Sequence, residues 1–333
     1  MGKIVTMGEM MMRFMPPDYL KFEQAKSFEV YYGGDESIVA SSLARFGLPV
    51  SYVTKLPQNP FGEMAISSLR MQGVDTSFIA RGGKRIGVNF YEKGISVRPS
   101  KVIYDREDSA FATAVQEDFD FDAIFSDAKW FHVSGITPAL SESTCRLTEK
   151  AMKTAKSVGA TVSCDLNYRN KLWPVEKARA VMPRLMEYVD VCINPDISLG
   201  LSADLFRGEP DVERYQEMFG QLKKQFGFQY IAATLRSSRS ASDNGWSALA
   251  YDGSRFCQAR RYEIHLLDRG GGGASFSGGL IYGLYTGMAL EQAVEFAAAS
   301  SALKQTINGD FNLASLEDVM QLCAGDTTGR VQR

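Results

Sequence analysis

Four consecutive glycines, residues 270–273, stand between an apolar stretch and the start of a predicted helix. Backbone N–H groups without side-chain hindrance and the positive end of a helix dipole together attract an anion such as phosphate. The spacing matches neither a Walker loop, which ends in Gly-Lys-Ser/Thr, nor a Gly-x-Gly-x-x-Gly dinucleotide loop. The glycines therefore predict an anion-binding loop, and the alternative is a flexible turn before a buried helix. The next residue, Ala274, cannot move a proton.

Two arginines are candidates for binding an acidic ligand. The planar guanidinium groups of Arg106 and Arg169 suit a carboxylate, although an arginine can also be simply solvated. Arg169 follows the end of a predicted strand, where α/β proteins build their ligand crevice. Gly34 would let a ligand approach the backbone closely, or it ends a tight turn.

The elements that must position these residues alternate along the chain. Short apolar strands at 130–133, 161–164, 189–193 and 230–233 are separated by amphipathic helices, which predicts a mostly parallel sheet. Ser141 opens one of these helices, and Gly159 ends it. We expect a single α/β domain over residues 1–333.

Two segments, about 13–32 and 85–105, break this alternation. Their apolar residues recur with a period of two and no helix separates them, as in Phe28-Glu29-Val30-Tyr31-Tyr32. They predict a small antiparallel sheet that projects from the core and forms a lid.

Composition narrows the class of protein. The net charge is −2, with acids and bases evenly mixed, which argues against a nucleic-acid or membrane partner. The five cysteines are widely spaced and predict reduced thiols in a cytoplasmic protein. No zinc-type spacing occurs, so no metal-binding residue is predicted, and His132 and His265 are expected to lie in the core.

The chain resembles the pfkB-type, ribokinase-like carbohydrate kinases, and more narrowly the 2-keto-3-deoxygluconate kinases. The matches run through nearly the whole sequence in order: Gly8-Glu9, Gly33-Gly34, Thr54-Lys55-Leu56-Pro57, Arg98-Pro99-Ser100, Tyr104-Asp105-Arg106, Asp165-Leu166-Asn167-Tyr168-Arg169, Ser242-Asp243-Asn244-Gly245-Trp246, Leu267-Asp268-Arg269, Leu280-Ile281-Tyr282-Gly283-Leu284 and Gly309-Asp310-Phe311-Asn312.

The resemblance implies a ribokinase-like fold, ATP-dependent phosphoryl transfer to a sugar-acid hydroxyl, Mg²⁺ as cofactor, and a lid that closes over the sugar and pairs two subunits. It implies an anion hole at Gly271, Gly272 and Gly273. The implied substrate-binding residues are Gly34, Asn89, Tyr104, Arg106, Asn167 and Arg169. The implied nucleotide-binding residues are Thr234, Arg236, Gly271, Gly273 and Asn308.

Several positions depart from the family pattern. Ala274 occupies the position of the catalytic aspartate, Ile38 that of an asparagine on the sugar, and Asn89 that of a lid tyrosine. The acid of the family's Asn-x-x-Glu element, which lies near magnesium, is lost within residues 194–198. These departures predict a weak or inactive kinase; the alternatives are a non-catalytic binding regulator or a lid-mediated interaction protein. Asp268 and Asp310 are the acids to consider as a replacement base.

Overall fold

A computed structural model describes residues 2–206 and 209–325. Its main sheet has the strand order β13-β12-β11-β10-β9-β8-β1-β4-β5, and β14 also pairs with β12. The strands of this sheet are β1 (Lys3–Met7), β4 (Val50–Leu56), β5 (Ile79–Arg81), β8 (Ala128–Ser134), β9 (Thr161–Asp165), β10 (Val191–Ile193), β11 (Tyr230–Ser238), β12 (Asp243–Tyr251), β13 (Phe256–Gln258) and β14 (Tyr262–His265). Pairing is parallel from β5 to β11, and antiparallel beyond β11.

Helices cover both faces of this sheet. They are α1 (Asp35–Arg45), α2 (Pro60–Met71), α3 (Phe121–Phe125), α4 (Ile136–Ala139), α5 (Glu142–Ser157), α6 (Val175–Met186), α7 (Val212–Phe226), α8 (Gly272–Tyr285), α9 (Leu290–Lys304) and α10 (Leu316–Cys323). Ser141 caps α5 by accepting a hydrogen bond from the Thr144 N–H, and Gly159 follows the helix with φ of 76°. The predicted strands and this helix are thus present.

The alternation of side chains along the buried strands separates two apolar cores. Ile4 of β1 packs on the side of α1, α8 and α9, whereas the adjacent Val5 packs on the side of α5, α6 and α7. A parallel sheet covered on both faces in this way leaves its strand ends free to carry a binding site.

The predicted lid is a second sheet of four strands, in the order β3-β2-β6-β7. Its strands are β2 (Met11–Met15), β3 (Glu29–Gly33), β6 (Gly87–Glu92) and β7 (Lys101–Asp105). The outer pairs are antiparallel, while the central pair β2·β6 is parallel. The reason is topological: β2 and β6 are joined through the α/β segment that contains β4, α2 and β5, and not through a hairpin.

The two histidines differ in their surroundings. His132 is fully buried, and its Nδ1 lies 2.9 Å from the Ser163 hydroxyl. Burial lowers the pKa of His132 to about 3, so it is a neutral core residue. The expectation for His265 was wrong: this side chain is 75% exposed and lies 2.8 Å from Asp243. It is on the outer strand β14, where the alternate positions face solvent.

Every cysteine is a free thiol, and Cys164, Cys192 and Cys257 are buried. Within the described ranges, no helix combines the length and the apolar character needed to cross a bilayer.

Candidate functional site

A crevice of about 1700 Å³ opens between the lid and one edge of the main sheet. Asp165 ends β9, Asn194 follows β10 and Thr234 lies in β11, and all three line it. The carboxyl ends of adjacent parallel strands meet at this edge, and the lid strands β6 and β7 close the opposite side.

The glycine loop forms one wall of the crevice. Gly271 is the N-cap of α8 with φ of 78°, a conformation that favours glycine. A Cβ at Gly273 would have no atom within 4 Å, so this residue faces open space. In the described part of the chain, the N–H groups of Gly271, Gly273 and Ala274 have no acceptor. These free donors at a helix start can hold a phosphate.

Arg169 provides a positive charge within the same crevice. Arg169 is exposed, and its guanidinium makes no hydrogen bond or ion pair with the residues that the structure describes. It lies near enough to Asp35 and Asp165 for its charge to oppose the rise in pKa that burial causes in both carboxyls. An arginine without a direct partner can bind a carboxylate ligand by donating two parallel hydrogen bonds to it.

The second predicted arginine already has a partner. Arg106 donates from Nε to Glu9 Oε2 at 2.7 Å, and Glu9 is 3% exposed. The Arg106 guanidinium also lies over the Tyr104 ring, 5.6 Å from its centroid. Asn89 faces the crevice from β6, and its amide nitrogen is 4.0 Å from the Met11 sulfur. Glu9 therefore fixes the orientation of the Arg106 guanidinium within the crevice.

Gly34 allows a close backbone approach. A Cβ at this position would overlap the Glu9 carbonyl oxygen, so a larger residue cannot fit without displacing the chain. Gly34 is also the N-cap of α1, with the extended backbone that begins this helix. Its role in the fold is to bring the start of α1 to the crevice beside β2.

Two carboxyl groups in the crevice accept hydrogen bonds through only one of their two oxygens. Asp35 Oδ1 accepts a hydrogen bond from the Asn167 amide at 3.1 Å, whereas its Oδ2 is buried without a partner. Asp165 Oδ2 accepts from Asn194 at 3.0 Å and from Ser277 at 3.2 Å, whereas its Oδ1 is buried without a partner. Both residues line the crevice.

Burial and like charge raise the pKa of these groups. Burial raises the pKa of Asp35 to about 7, and the Asp165 carboxylate adds to this while Arg169 opposes it. Burial likewise raises the pKa of Asp165, against the hydrogen bond from Asn194 and the charge of Arg169. Glu36, which accepts three hydrogen bonds from Ser134 and Thr137, also has its pKa raised by burial and by Asp35. Perturbed carboxyl groups in a cleft are typical of functional sites.

The segment 194–198 has an acid in the crevice, but not at the positions considered from the sequence. Asp196 lines the crevice, whereas Ile197 and Ser198 do not. Asp196 accepts hydrogen bonds from the Tyr168 N–H at 2.7 Å and from the Ser198 hydroxyl at 2.6 Å. Asn194 accepts from the N–H and hydroxyl of Thr234, which ties β10 to β11.

Asp268 and Asp310 are not free to act as a base, because both bind Arg13 of the lid strand β2. Arg13 Nη2 lies 2.6 Å from Asp268, and Nη1 lies 3.0 Å from Asp310. The rings of Tyr31 and Tyr91 lie 5.2 and 5.1 Å from the guanidinium. Asp268 also accepts hydrogen bonds from the N–H groups of Gly270 and Gly309. This buried network joins the lid to the glycine loop.

Lys304 completes the charges beneath the loop. It is fully buried, and its ammonium donates to the Ile307 carbonyl at 3.2 Å. Burial lowers the pKa of Lys304 to about 8, although Asp268 and Asp310 oppose this effect.

The crevice brings together most of the residues implied by the family resemblance. Its lining includes Gly34, Asn89, Tyr104, Arg106, Asn167, Arg169, Thr234, Gly271, Gly272, Gly273 and Ala274. Arg236 and Asn308 lie outside it: Arg236 is exposed beside Arg269, and Asn308 accepts a hydrogen bond from Lys93 at 3.1 Å.

Among the crevice residues, Asp35 and Asp196 were given no role from the sequence, and Glu9 appeared there only within the matched Gly8-Glu9 pair. Asp165, which the sequence showed only within a matched motif, could have been found by the same strand-end rule that singled out Arg169.

Comparison with known proteins places these features in a family context. The family model described as "pfkB family carbohydrate kinase" matches residues 1–312. A 2-dehydro-3-deoxygalactonokinase of Haloferax volcanii is 33% identical over 328 residues, covering 98% of each chain. A 2-dehydro-3-deoxygluconokinase of Bacillus subtilis is 28% identical and covers 92% of this chain and 91% of its own.

A solved structure is closer still in sequence. The crystal structure of 2-dehydro-3-deoxygluconokinase from Thermotoga maritima superimposes with a TM-score of 0.94 and is 46% identical. The match covers 98% of this chain and 100% of the other.

Proposed function

Because this chain belongs to the pfkB family of carbohydrate kinases, we propose that it transfers the γ-phosphoryl group of ATP to a hydroxyl of a 2-keto-3-deoxy sugar acid. The similarity to 2-dehydro-3-deoxygluconokinase and 2-dehydro-3-deoxygalactonokinase supports this substrate class. The observation that carries the proposal is the pairing of two ligand sites in one crevice. Free N–H groups at the start of α8 suit a phosphate, and the unpaired Arg169 suits a carboxylate.

Different residues would bind the two substrates. The loop 270–273 would hold the transferring phosphate, and its donors would stabilise the charge that develops during transfer. Arg169 would bind the sugar-acid carboxylate, while Arg106, fixed by Glu9, and Tyr104 would contact the sugar from the lid side. Asn167 donates to Asp35 and would orient this carboxyl beside the sugar.

Magnesium enters with the nucleotide in this proposal. Among residues 2–206 and 209–325, no group of three or more His, Cys, Asp or Glu side chains could hold a metal ion. A Mg²⁺ ion would therefore be bound mainly by phosphate oxygens and water, which is its usual mode in phosphoryl-transfer sites. When bound, it would neutralise charge on the phosphates.

We expect turnover to be slower than in family members with an aspartate at position 274. A positioned general base contributes about 10²–10⁴-fold, and Ala274 cannot supply one. The sugar contact is also weakened, because Ile38 has no hydrogen-bonding group. Positioning and charge stabilisation dominate phosphoryl transfer, so transfer continues at a reduced rate.

A second candidate is a non-catalytic regulator that binds nucleotide and sugar acid. The observation favouring it is that Ala274 and Ile38 lie together at the glycine loop, where Ile38 Cδ1 is 3.3 Å from a Cβ placed on Gly271. Calorimetry of ATP·Mg and of 2-keto-3-deoxygluconate, combined with product detection, separates the two candidates. Binding of both ligands without product supports the regulator, whereas product formation supports the kinase.

The Arg169→Gln variant tests how the sugar acid is bound. Loss of a charge-assisted bidentate contact costs about 2–3 kcal/mol, so we expect the Kd for 2-keto-3-deoxygluconate to rise roughly 30- to 150-fold. Calorimetry should show an unchanged Kd for ATP. The control is Arg184→Gln on α6, whose exposed guanidinium lies 3.7 Å from Glu149 and outside the crevice. An equal loss in both variants would contradict the role of Arg169.

We also propose that the protein works in the cytoplasm as a homodimer formed through the lid. The outer face of the lid supports the dimer, because one apolar residue from each of the four strands lies beside the next. These residues are Val30, Phe14, Phe90 and Ile103. Val30 is 43% exposed and Ile103 is 56% exposed. A continuous apolar row of this kind is suited to burial against a second copy.

The Ile103→Lys variant tests the dimer. A lysine within the apolar row would be buried without a partner in the interface, so we expect a monomer in sedimentation velocity at micromolar concentration. Met71→Lys on α2, which changes a 76% exposed side chain away from the lid, should leave the wild-type mass unchanged. A wild-type protein that sediments as a monomer would refute this assembly.

A further inference from the structure

The crevice contains an acid that can take over the task that Ala274 cannot perform. We propose that Asp35 is the general base of this protein and accepts the proton of the attacking sugar hydroxyl. The inference rests on the proposed kinase function. Asp35 is the first residue of α1, follows Gly34 directly, and lines the crevice together with the glycine loop.

The position of Asp35 relative to the phosphate site follows from the packing of two helices. α1 packs against α8, and a Cβ at Gly278 of α8 would come within 2.9 Å of the Ser42 Cβ of α1. Ile38, one turn after Asp35 on the same face, reaches Gly271 at the start of α8. The starts of α1 and α8 therefore face the same part of the crevice, with Asp35 on one helix and Ala274 on the other.

The hydrogen bonding of Asp35 leaves one carboxyl oxygen available to accept a proton. Asn167 holds its Oδ1 at 3.1 Å, which fixes the carboxyl group, and leaves the buried Oδ2 without a partner. Three other crevice acids are more restricted. Asp310 is paired with Arg13, and Asp196 has both oxygens hydrogen-bonded. Asp165 also has one oxygen without a partner, but it is 2% exposed and accepts two hydrogen bonds, from Asn194 and Ser277.

The charges that face Asp35 make proton transfer effective near neutral pH. Asp165 at the end of β9 and the adjacent Glu36 favour the protonated form, whereas Arg169 and the Asn167 amide favour the carboxylate. Burial and the Asp165 carboxylate outweigh Arg169 and the Asn167 amide, and the pKa of Asp35 is raised to about 7. A base with a pKa close to the working pH combines an available carboxylate with a strong tendency to accept a proton.

The proposed step is a phosphoryl transfer in which one bond forms and one bond breaks at the γ-phosphorus. The sugar hydroxyl oxygen forms a bond to the γ-phosphorus of ATP as the bond between that phosphorus and the β,γ-bridging oxygen breaks. The hydroxyl proton passes to Asp35 Oδ2, ADP leaves, and the proton returns to solvent when the product departs. No further reactant is required.

The test is a double-mutant cycle between Asp35 and Ala274. We expect Asp35→Asn to lower kcat by at least about 10²-fold, since it removes the base while keeping the acceptor for Asn167. In an Ala274→Asp background, the same substitution should cost less than about threefold, because the new carboxylate replaces the lost one. Asp122→Asn on the exposed side of α3 is the neutralising control and should leave kcat unchanged.

Two further measurements separate a base from a binding residue. The wild-type rate should rise with pH through a midpoint near 7 and this limb should vanish in Asp35→Asn, while the calorimetric Kd values for ATP and 2-keto-3-deoxygluconate stay within threefold. Carbon-13 NMR of aspartate-labelled, ligand-free protein should show two near-neutral carboxyl titrations, from Asp35 and Asp165, of which one is absent in Asp35→Asn. The NMR result requires no turnover.

The outcomes distinguish this inference from the proposed function. Turnover that survives Asp35→Asn, or a loss that excess Mg²⁺ reverses, overturns the inference and leaves the kinase proposal standing. A loss that appears only as weaker binding of either ligand also overturns it. A wild-type protein that binds both ligands and forms no product refutes the kinase proposal, and this inference with it.

Discussion

In a protein that already carries Asp35→Asn, the added Ala274→Asp/Ile38→Asn pair is expected to raise the rate of 2-keto-3-deoxygluconate phosphorylation at least about 10²-fold. Ala274 lies in the first turn of α8 beside the free N–H groups of the glycine loop, where the helix dipole favours a carboxylate. An asparagine at position 38 replaces an apolar contact in the crevice with groups that can hydrogen-bond a sugar hydroxyl. Steady-state kinetics with ATP·Mg at saturating sugar acid give the comparison.

The single changes are expected to recover less than the double variant, since groups that act as a unit are strongly non-additive. The matched control is Ala274→Asn/Ile38→Asn, which has nearly the same shape but no titratable group at position 274. Added to Asp35→Asn, it should leave the rate close to that of Asp35→Asn alone. An equal gain in this control would show that the improvement comes from packing and not from a base.

The Arg13→Ala variant is expected to lose about 3–5 kcal/mol of unfolding free energy, because it leaves two buried carboxylates without their cation. The side chain of Arg13 is 4% exposed, that of Asp268 is fully buried and that of Asp310 is 11% exposed. Removing the guanidinium also deprives Tyr31 and Tyr91 of their cation–π partner. Urea denaturation followed by circular dichroism measures the change.

Arg239→Ala provides the control for this loss. Arg239 pairs with Glu263 at 2.8 Å, but the two side chains are 62% and 51% exposed. Exposed pairs contribute little to stability because water screens their charges, so a small effect is expected. Comparable losses in the two variants would indicate that the Arg13 network does not hold the lid to the core.

Local patterns were sufficient to predict the α/β core and the lid. Strand alternation and the Ser141 and Gly159 signals depend on neighbours in sequence, and the structure confirms them. The antiparallel end of the main sheet was harder to predict. His265 lies on β14, whose alternate positions face solvent, and β11 extends to Ser238, beyond the predicted strand.

The site was predictable only where a local rule applied. The glycine loop and Arg169 follow recognisable strand-to-helix and strand-end patterns, and both lie in the crevice. By contrast, Arg13 and Asp268 meet across 255 positions, and no local pattern indicates that pair. The same holds for Asp35, whose unpartnered oxygen depends on packing among α1, β9 and the loop after β9.

The parallel pairing of β2 with β6 also has a consequence for biosynthesis. β2 and β3 can form a hairpin as soon as residue 33 leaves the ribosome. The strand β6, which pairs with the other edge of β2, ends only at residue 92. At about 5–20 residues per second, the hairpin waits for several seconds with the β2 edge unpaired and with Phe14 and Val30 uncovered. Such an edge is a template for pairing with another nascent chain. The lid is therefore a part of this protein that is exposed to misassembly while the chain is still being synthesised.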